Sequence, residues 1–140
     1  PVSGTVFLSV KDSDKNDLIP IARDLTDMGF KLVATGGTCT HLKNAGLDVM
    51  RINKVMEGQP HIVDAIINGQ IDFMINTTRG PQAIADATSI RRQALTHKIP
   101  YYTLLTAARA GVQAIQSMRT REIEVRPIQD YLREKTEAAA

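Results

Sequence analysis

A chain of 140 residues with 43% apolar side chains and a formal charge of +2 fits one domain with one core. That charge is far from the basic excess of a dedicated nucleic-acid binder, and no apolar run nears the ~18 residues of a membrane span. The single cysteine, Cys39, has no partner for an internal disulfide, which fits a reducing, cytoplasmic setting. The opening PVSGTVFLSV has neither an initiator Met nor the layout of a secretion signal, so the chain reads as a domain excised from a longer one, or as one with a processed terminus.

TVFLSV (5–10) predicts a short buried strand. From Leu18, the apolar residues Ile21, Ala22, Leu25 and Met28 recur at helical spacing. A cap at Asn16 or Asp17 is expected to bring Pro20 into or next to the first turn, where a missing N–H matters least. Gly29 closes this helix. KLVA (31–34) predicts strand two, TGGT (35–38) a turn, and 38–45 a short helix ended by Gly46. DVMRI (48–52) predicts strand three, HIVDAIING (61–69) a short helix and IDFMIN (71–76) strand four. After an RGP turn, Ile84, Ala87, Ile90, Ala94 and Leu95 mark a long helix. Pro100 precedes the fifth strand, YYTLL, on which Tyr101 and Tyr102 are expected to point one inward and one outward. Thr106 is expected to cap a helix carrying Val112, Ile115 and Met118. The tail, 121–140, holds a strand-like EIEV and is expected to be partly disordered.

Strands separated by helices predict an α/β fold, a Rossmann-like three-layer sandwich with about five mostly parallel strands and helices on both faces. Ligands in such sheets sit at the carboxyl ends of the strands. The segments that follow the strands are VKDSDK, TGGT, NKVMEG, NTTRG and TAARAG. Gly36 and Gly37 let backbone N–H groups approach an anion, and the helix behind them adds its positive end. Thr35 and Thr38 add hydroxyls, Lys15 and Lys54 add charge, and Asn76, Thr77 and Thr78 add an amide and two hydroxyls. Together they suit a phosphate and a sugar. Taken singly, each has a plainer reading: a tight turn for the glycines, an N-cap for Thr38, solvated surface for the lysines, turn capping for residues 76–78. Neither the Walker spacing nor GxGxxG is present. His41, His61 and His97 lack metal-ligand spacing, so no metal is expected. Cys39 is expected to pack at a helix start, and no general acid and base pair stands out.

SVKDSDK, DMGF, KLVATGGT, NKVMEGQPHI, IDFMINTTRG and IRRQAL, in that order, resemble the methylglyoxal-synthase-like family over about residues 4–118. EGQPHIVDAIINGQIDFMINTT, leading on to SIRRQAL, selects the branch at the C-terminus of the large subunit of bacterial, glutamine-hydrolysing carbamoyl-phosphate synthase. The resemblance implies a regulatory domain without a catalytic role or cofactor of its own, inside an ATP-dependent ligase of pyrimidine and arginine biosynthesis. It implies that UMP inhibits and IMP activates through one site, with Lys15, Thr35, Thr38, Lys54, Asn76 and Thr78 as contacts, Gly36 and Gly37 allowing close approach, and Ser9 nearby. It implies ornithine at the face toward the synthetic half, near Tyr101 and Thr103, and as protein partners the catalytic halves of the same subunit and a separate small glutaminase subunit. Two enzymes share the fold. Methylglyoxal synthase would need an aspartate- and glycine-rich stretch where this chain reads MEGQPHIVDA. An IMP cyclohydrolase-type domain would need longer downstream segments.

Overall fold

The structure, a computed structural model, describes residues 3–79 and 81–121. The strand expected at EIEV and the tail beyond it lie outside the described residues, as does Gly80 of the expected RGP turn. The elements in chain order are β1 (Thr5–Ser9), α1 (Lys15–Asp27), β2 (Lys31–Ala34), α2 (Gly36–Asn44), β3 (Val49–Arg51), α3 (Ile62–Ile67), β4 (Phe73–Asn76), α4 (Pro81–Thr96) and β5 (Tyr101–Tyr102). A further helix, α5, runs over 105–121. Single 3-10 turns at Asp12–Asp14 and Val55–Glu57 stand in the connections after β1 and β3.

All four strand pairings are parallel, in the order β3-β2-β1-β4-β5. The chain builds outward from β1 to β3, then returns to lay β4 and β5 on the other side. The order therefore reverses beside β1, the place where open α/β sheets form their ligand crevice.

Alternation along β1 explains the two faces. Val6 and Leu8 pack with Leu18 and Leu25 of α1, Leu42 of α2 and Val112 of α5, while Phe7 packs with Ile62 and Ile66 of α3 and Ile90 and Ala94 of α4. A strand buried on both faces reads as a continuous apolar run, as TVFLSV does. Burying a side chain such as Phe7 or Leu8 contributes about 1.5–3 kcal/mol.

Several local expectations differ from the structure. The helix α1 starts at Lys15, so Pro20 lies inside it, beyond the first turn. Proline there removes a hydrogen bond at a cost of ~3 kcal/mol. The burial of Leu18, Ile21, Ala22 and Leu25 on the same helix offsets that cost. The helix α2 starts at Gly36, with extended Thr35 (φ −80°, ψ 154°) as its cap residue. The two glycines are thus its first turn rather than a turn before it. Strand β5 is two residues long, and α5 begins at 105, so Thr106 sits within the first turn instead of capping it. Tyr101 and Tyr102 do point to opposite faces, but both are half-buried: Tyr101 joins the core under α3 and α4, Tyr102 the core under α1, α2 and α5. A sheet covered on both sides has no outward face. Tyr102 lies against Phe73 with ring centroids 5.1 Å apart at 45°, a tilted geometry that aromatic pairs favour.

Candidate functional site

The register sets a polar row across the carboxyl edge of the sheet. Phe7 lies opposite Val33 of β2 and Met74 of β4, and Ser9 lies opposite Asn76. Two residues on from Phe7, Val33 and Met74, the same face carries Ser9, Thr35 and Asn76. The Ser9 and Thr35 hydroxyls are 2.6 Å apart. The Asn76 amide Nδ2 donates to the Tyr101 hydroxyl at 2.9 Å. A cleft of about 330 Å³ opens at this row and is lined by Ser9, Thr35, Asn76, Thr77 and Thr78, with Lys15 and Lys54 at its rim. Sequence reading had placed all seven near one site, and the fold brings them together.

The threonines divide by role. The Thr38 hydroxyl accepts from the Val10 N–H at 3.1 Å and is buried. Thr77 accepts from the Lys11 N–H at 3.0 Å, and its own N–H donates to the Ser9 carbonyl at 3.0 Å. The chain leaving β1 is thereby stapled from both sides. Thr77 lines the cleft while doing this; Thr38 lies behind the wall. Thr35, Thr38, Asn76 and Thr77 are the buried polar residues among those described, and each has a hydrogen-bond partner, as buried polar groups require.

The start of α2 has donors to offer. The Thr35 hydroxyl is turned to Ser9 and makes no side-chain cap. The first helical bond runs from the Cys39 N–H to the Thr35 carbonyl, 2.9 Å, so the N–H groups of Gly36, Gly37 and Thr38 precede the ladder. The Lys15 amine lies over Gly37: a Cβ there would stand 2.9 Å from Nζ. A side chain at 37 would displace the lysine amine from this position.

Charge at the rim is one-sided. Lys15 pairs with Asp12. The hydrogen bond and charge of Lys15 hold the Asp12 carboxyl below the usual carboxylate range, with smaller contributions from Arg79 and Lys54. Those three cations surround one exposed carboxylate. Lys11, also at the cleft, sits 3.9 Å from Asp14. Lys54 is exposed on a loop that Asn53 closes with a bond to the Pro60 carbonyl, 3.2 Å, and its own N–H donates to Glu57 at 2.7 Å. Lys11, Asp12 and Arg79 were not singled out from sequence as site residues. Their signal was present, since VKDSDK and NTTRG both follow strands that end at the cleft.

Other candidates fall elsewhere. Thr103 is exposed on a bend past β5 and does not line the cleft. His61 caps α3, accepting from the Val63 N–H at 3.2 Å. His41 bonds Asn16 at 2.9 Å. Cys39 is buried with the α1 and α2 core. Among the described residues no group of His, Cys, Asp and Glu is arranged to hold a metal, and no helix is long and apolar enough to cross a membrane.

The carbamoyl phosphate synthase large chain of Myxococcus xanthus (strain DK1622) is 52% identical over 132 residues, covering 94% of this chain and 12% of that protein. A Methanopyrus kandleri protein named carbamoyl phosphate synthase large chain, C-terminal section, is 45% identical over 131 residues, 93% of this chain and 24% of its own. The chain thus spans a small fraction of the curated relatives it matches. Among solved structures, methylglyoxal synthase from Elizabethkingia anophelis superposes with a TM-score of 0.65 over 80% of this chain and 78% of its own, at 22% identity. That likeness carries the fold. The MGS-like domain family matches residues 17–103; the chain belongs to the MGS-like domain family.

Proposed function

We propose that this domain is the C-terminal regulatory section of a carbamoyl-phosphate synthase large chain, and that its strand-end cleft binds a nucleoside monophosphate. The observation that carries the ligand reading is the Lys15 amine lying over Gly37 at the uncapped start of α2. Free backbone N–H groups, a helix positive end and a full charge meet there, which is what a phosphate needs. Lys54 and Arg79 add charge at the same rim, and the hydroxyls and amide of Ser9, Thr35, Asn76 and Thr78 form a polar wall for a sugar. A volume near 330 Å³ suits a small ligand.

On this reading the domain catalyses nothing itself and works by linkage within an ATP-dependent ligase that draws ammonia from glutamine through its small subunit. UMP inhibits and IMP activates by binding one conformation of the synthetase better than another, a coupling of about 1–3 kcal/mol. Ornithine acts at the β5 side, near Tyr101 and Thr103, where the domain meets the catalytic part.

Calorimetric titration of the chain with UMP, IMP and inorganic phosphate tests the ligand. Saturable binding of a nucleotide, with phosphate competing, is the expected result. Incubation with dihydroxyacetone phosphate, assayed for methylglyoxal, tests the enzymatic alternative. Among the described residues Asp12 is the one carboxylate lining the cleft, and it is engaged by Lys15, so no turnover is expected. Turnover would replace the regulatory reading with an enzymatic one.

A further inference from the structure

Asn76 is buried yet lines the cleft, and an amide side chain has a donor end and an acceptor end. One of the two amide hydrogens is engaged: Nδ2 donates to the Tyr101 hydroxyl at 2.9 Å, which turns the nitrogen end of the amide toward β5. Tyr101 is not free to move off. It belongs to β5, opposite Met74 of β4, and its ring packs into the core of Phe7, Met74 and the helices α3 and α4. Two residues along β4 from that register, on the same face, its hydroxyl meets Asn76 from the side away from β1. Because Nδ2 is the amide atom facing it, the Tyr101 hydroxyl accepts in this bond; burial pushes the phenol up, opposed by the Asn76 hydrogen bond and the nearby Arg91 charge. With Nδ2 turned to β5, Oδ1 is the opposite end of an amide that lines the cleft, and no hydrogen bond among the described residues engages it.

We infer that Tyr101 is a positioning residue for the cleft: by holding the Asn76 amide nitrogen it presents Oδ1 as an acceptor, so this wall reads a hydrogen-bond donor of the nucleoside, a sugar hydroxyl or a base N–H. The inference rests on the nucleotide reading above and adds an orientation to it. A carbonyl oxygen does not bind phosphate oxygens, so the phosphate goes to Lys15 and the start of α2, and the nucleoside runs toward β4.

The test compares UMP with inorganic phosphate by calorimetry on the wild-type chain, Tyr101→Phe, Asn76→Ala and the double variant. Tyr101→Phe keeps the ring and removes only the hydroxyl. Its UMP affinity is expected to fall about three- to tenfold, the loss of one correctly placed hydrogen bond, with phosphate affinity unchanged. In the Asn76→Ala background the same substitution is expected to cost nothing more, because its effect passes through Asn76. A thermal melt of each variant reports folding. Three results overturn the inference alone: UMP affinity unaffected by Tyr101→Phe, equal losses for UMP and phosphate, or additive losses in the double variant. A wild-type chain that binds neither UMP nor phosphate removes the nucleotide reading and this inference with it.

Discussion

The back wall of the cleft and its rim are built from polar residues in two different ways. In and just behind the wall, Thr35, Thr38, Asn76 and Thr77 are 2–6% exposed and bonded to backbone or to a neighbouring hydroxyl. At the rim, Lys15 keeps 18% of its side chain exposed and Asp12 keeps 94%, and Lys54 stands on an exposed loop. Buried hydrogen bonds hold geometry because breaking one leaves a group with no water to turn to. Exposed ion pairs hold little, about 0–1 kcal/mol, because solvent competes at every moment. The wall therefore fixes where a ligand sits, and the rim supplies charge that is free to change partners. Substitutions in the two regions should fail in different measurements.

The largest effect is expected at the rim, in affinity. Lys15→Ala removes the charge over the start of α2 and should weaken UMP binding by roughly 1.5–3 kcal/mol, the worth of a charge-assisted contact. Its urea unfolding midpoint should shift little, within about 0.5 kcal/mol of stability, because its partner Asp12 is exposed. Lys54→Ala should act in the same direction and less, since its side chain reaches in from solvent. A Lys15→Ala variant that lost stability while keeping its affinity would reverse the contrast between the two regions.

Next comes the wall, where the loss should appear as stability. Thr38→Val keeps the shape and removes the acceptor of the buried Val10 N–H, a cost of about 1–3 kcal/mol, read from urea unfolding. Thr77→Val strands the Lys11 N–H in the same way. That bond is only partly buried, so water replaces part of it and the cost is smaller. If Thr38→Val were as stable as wild type yet bound UMP far more weakly, Thr38 would belong with the rim as a direct contact.

That distinction marks where sequence reading stopped. Alternating strands and helices, the parallel sheet and the gathering of TGGT, NKVMEG and NTTRG at one edge followed from periodicity and from the rule for strand ends. Those features depend on local pattern. The hydrogen-bond partner of Thr38 depends on a residue 28 positions away, and that of Asn76 on one 25 positions away. Both are set by strand register and helix docking, which local pattern does not encode. Glycine is a poor helix former, so local pattern puts the start of α2 at Thr38 rather than Gly36. Here Thr35 takes the extended cap conformation and the Lys15 amine occupies the space over Gly37. Pro20 follows the same logic: its local cost favours a place near the first turn, while the burial of Leu18, Ile21, Ala22 and Leu25 carries the helix back to Lys15. Arg79 was legible only as a charge in a loop, and its place at the cleft needed β4 beside β1.

The smallest effect is expected at the join of the two regions, in alkaline pH dependence. Burial holds the Tyr101 phenol above its ordinary value of 10.0. The folded chain therefore keeps that proton at a pH where the unfolded chain has released it, and stability falls as pH rises. This contribution is fully present below pH 10 and is lost as pH climbs through the folded-state value. Other groups release protons at alkaline pH, so the wild-type curve alone assigns nothing. The difference between wild type and Tyr101→Phe isolates the one hydroxyl, and urea midpoints taken from about pH 9 to 11 should fall more steeply for wild type. Because Tyr101 is only half-buried, the difference should be modest. Parallel curves would mean that the hydroxyl sits in water, and a hydroxyl in water has no hold on the Asn76 amide strong enough to orient it.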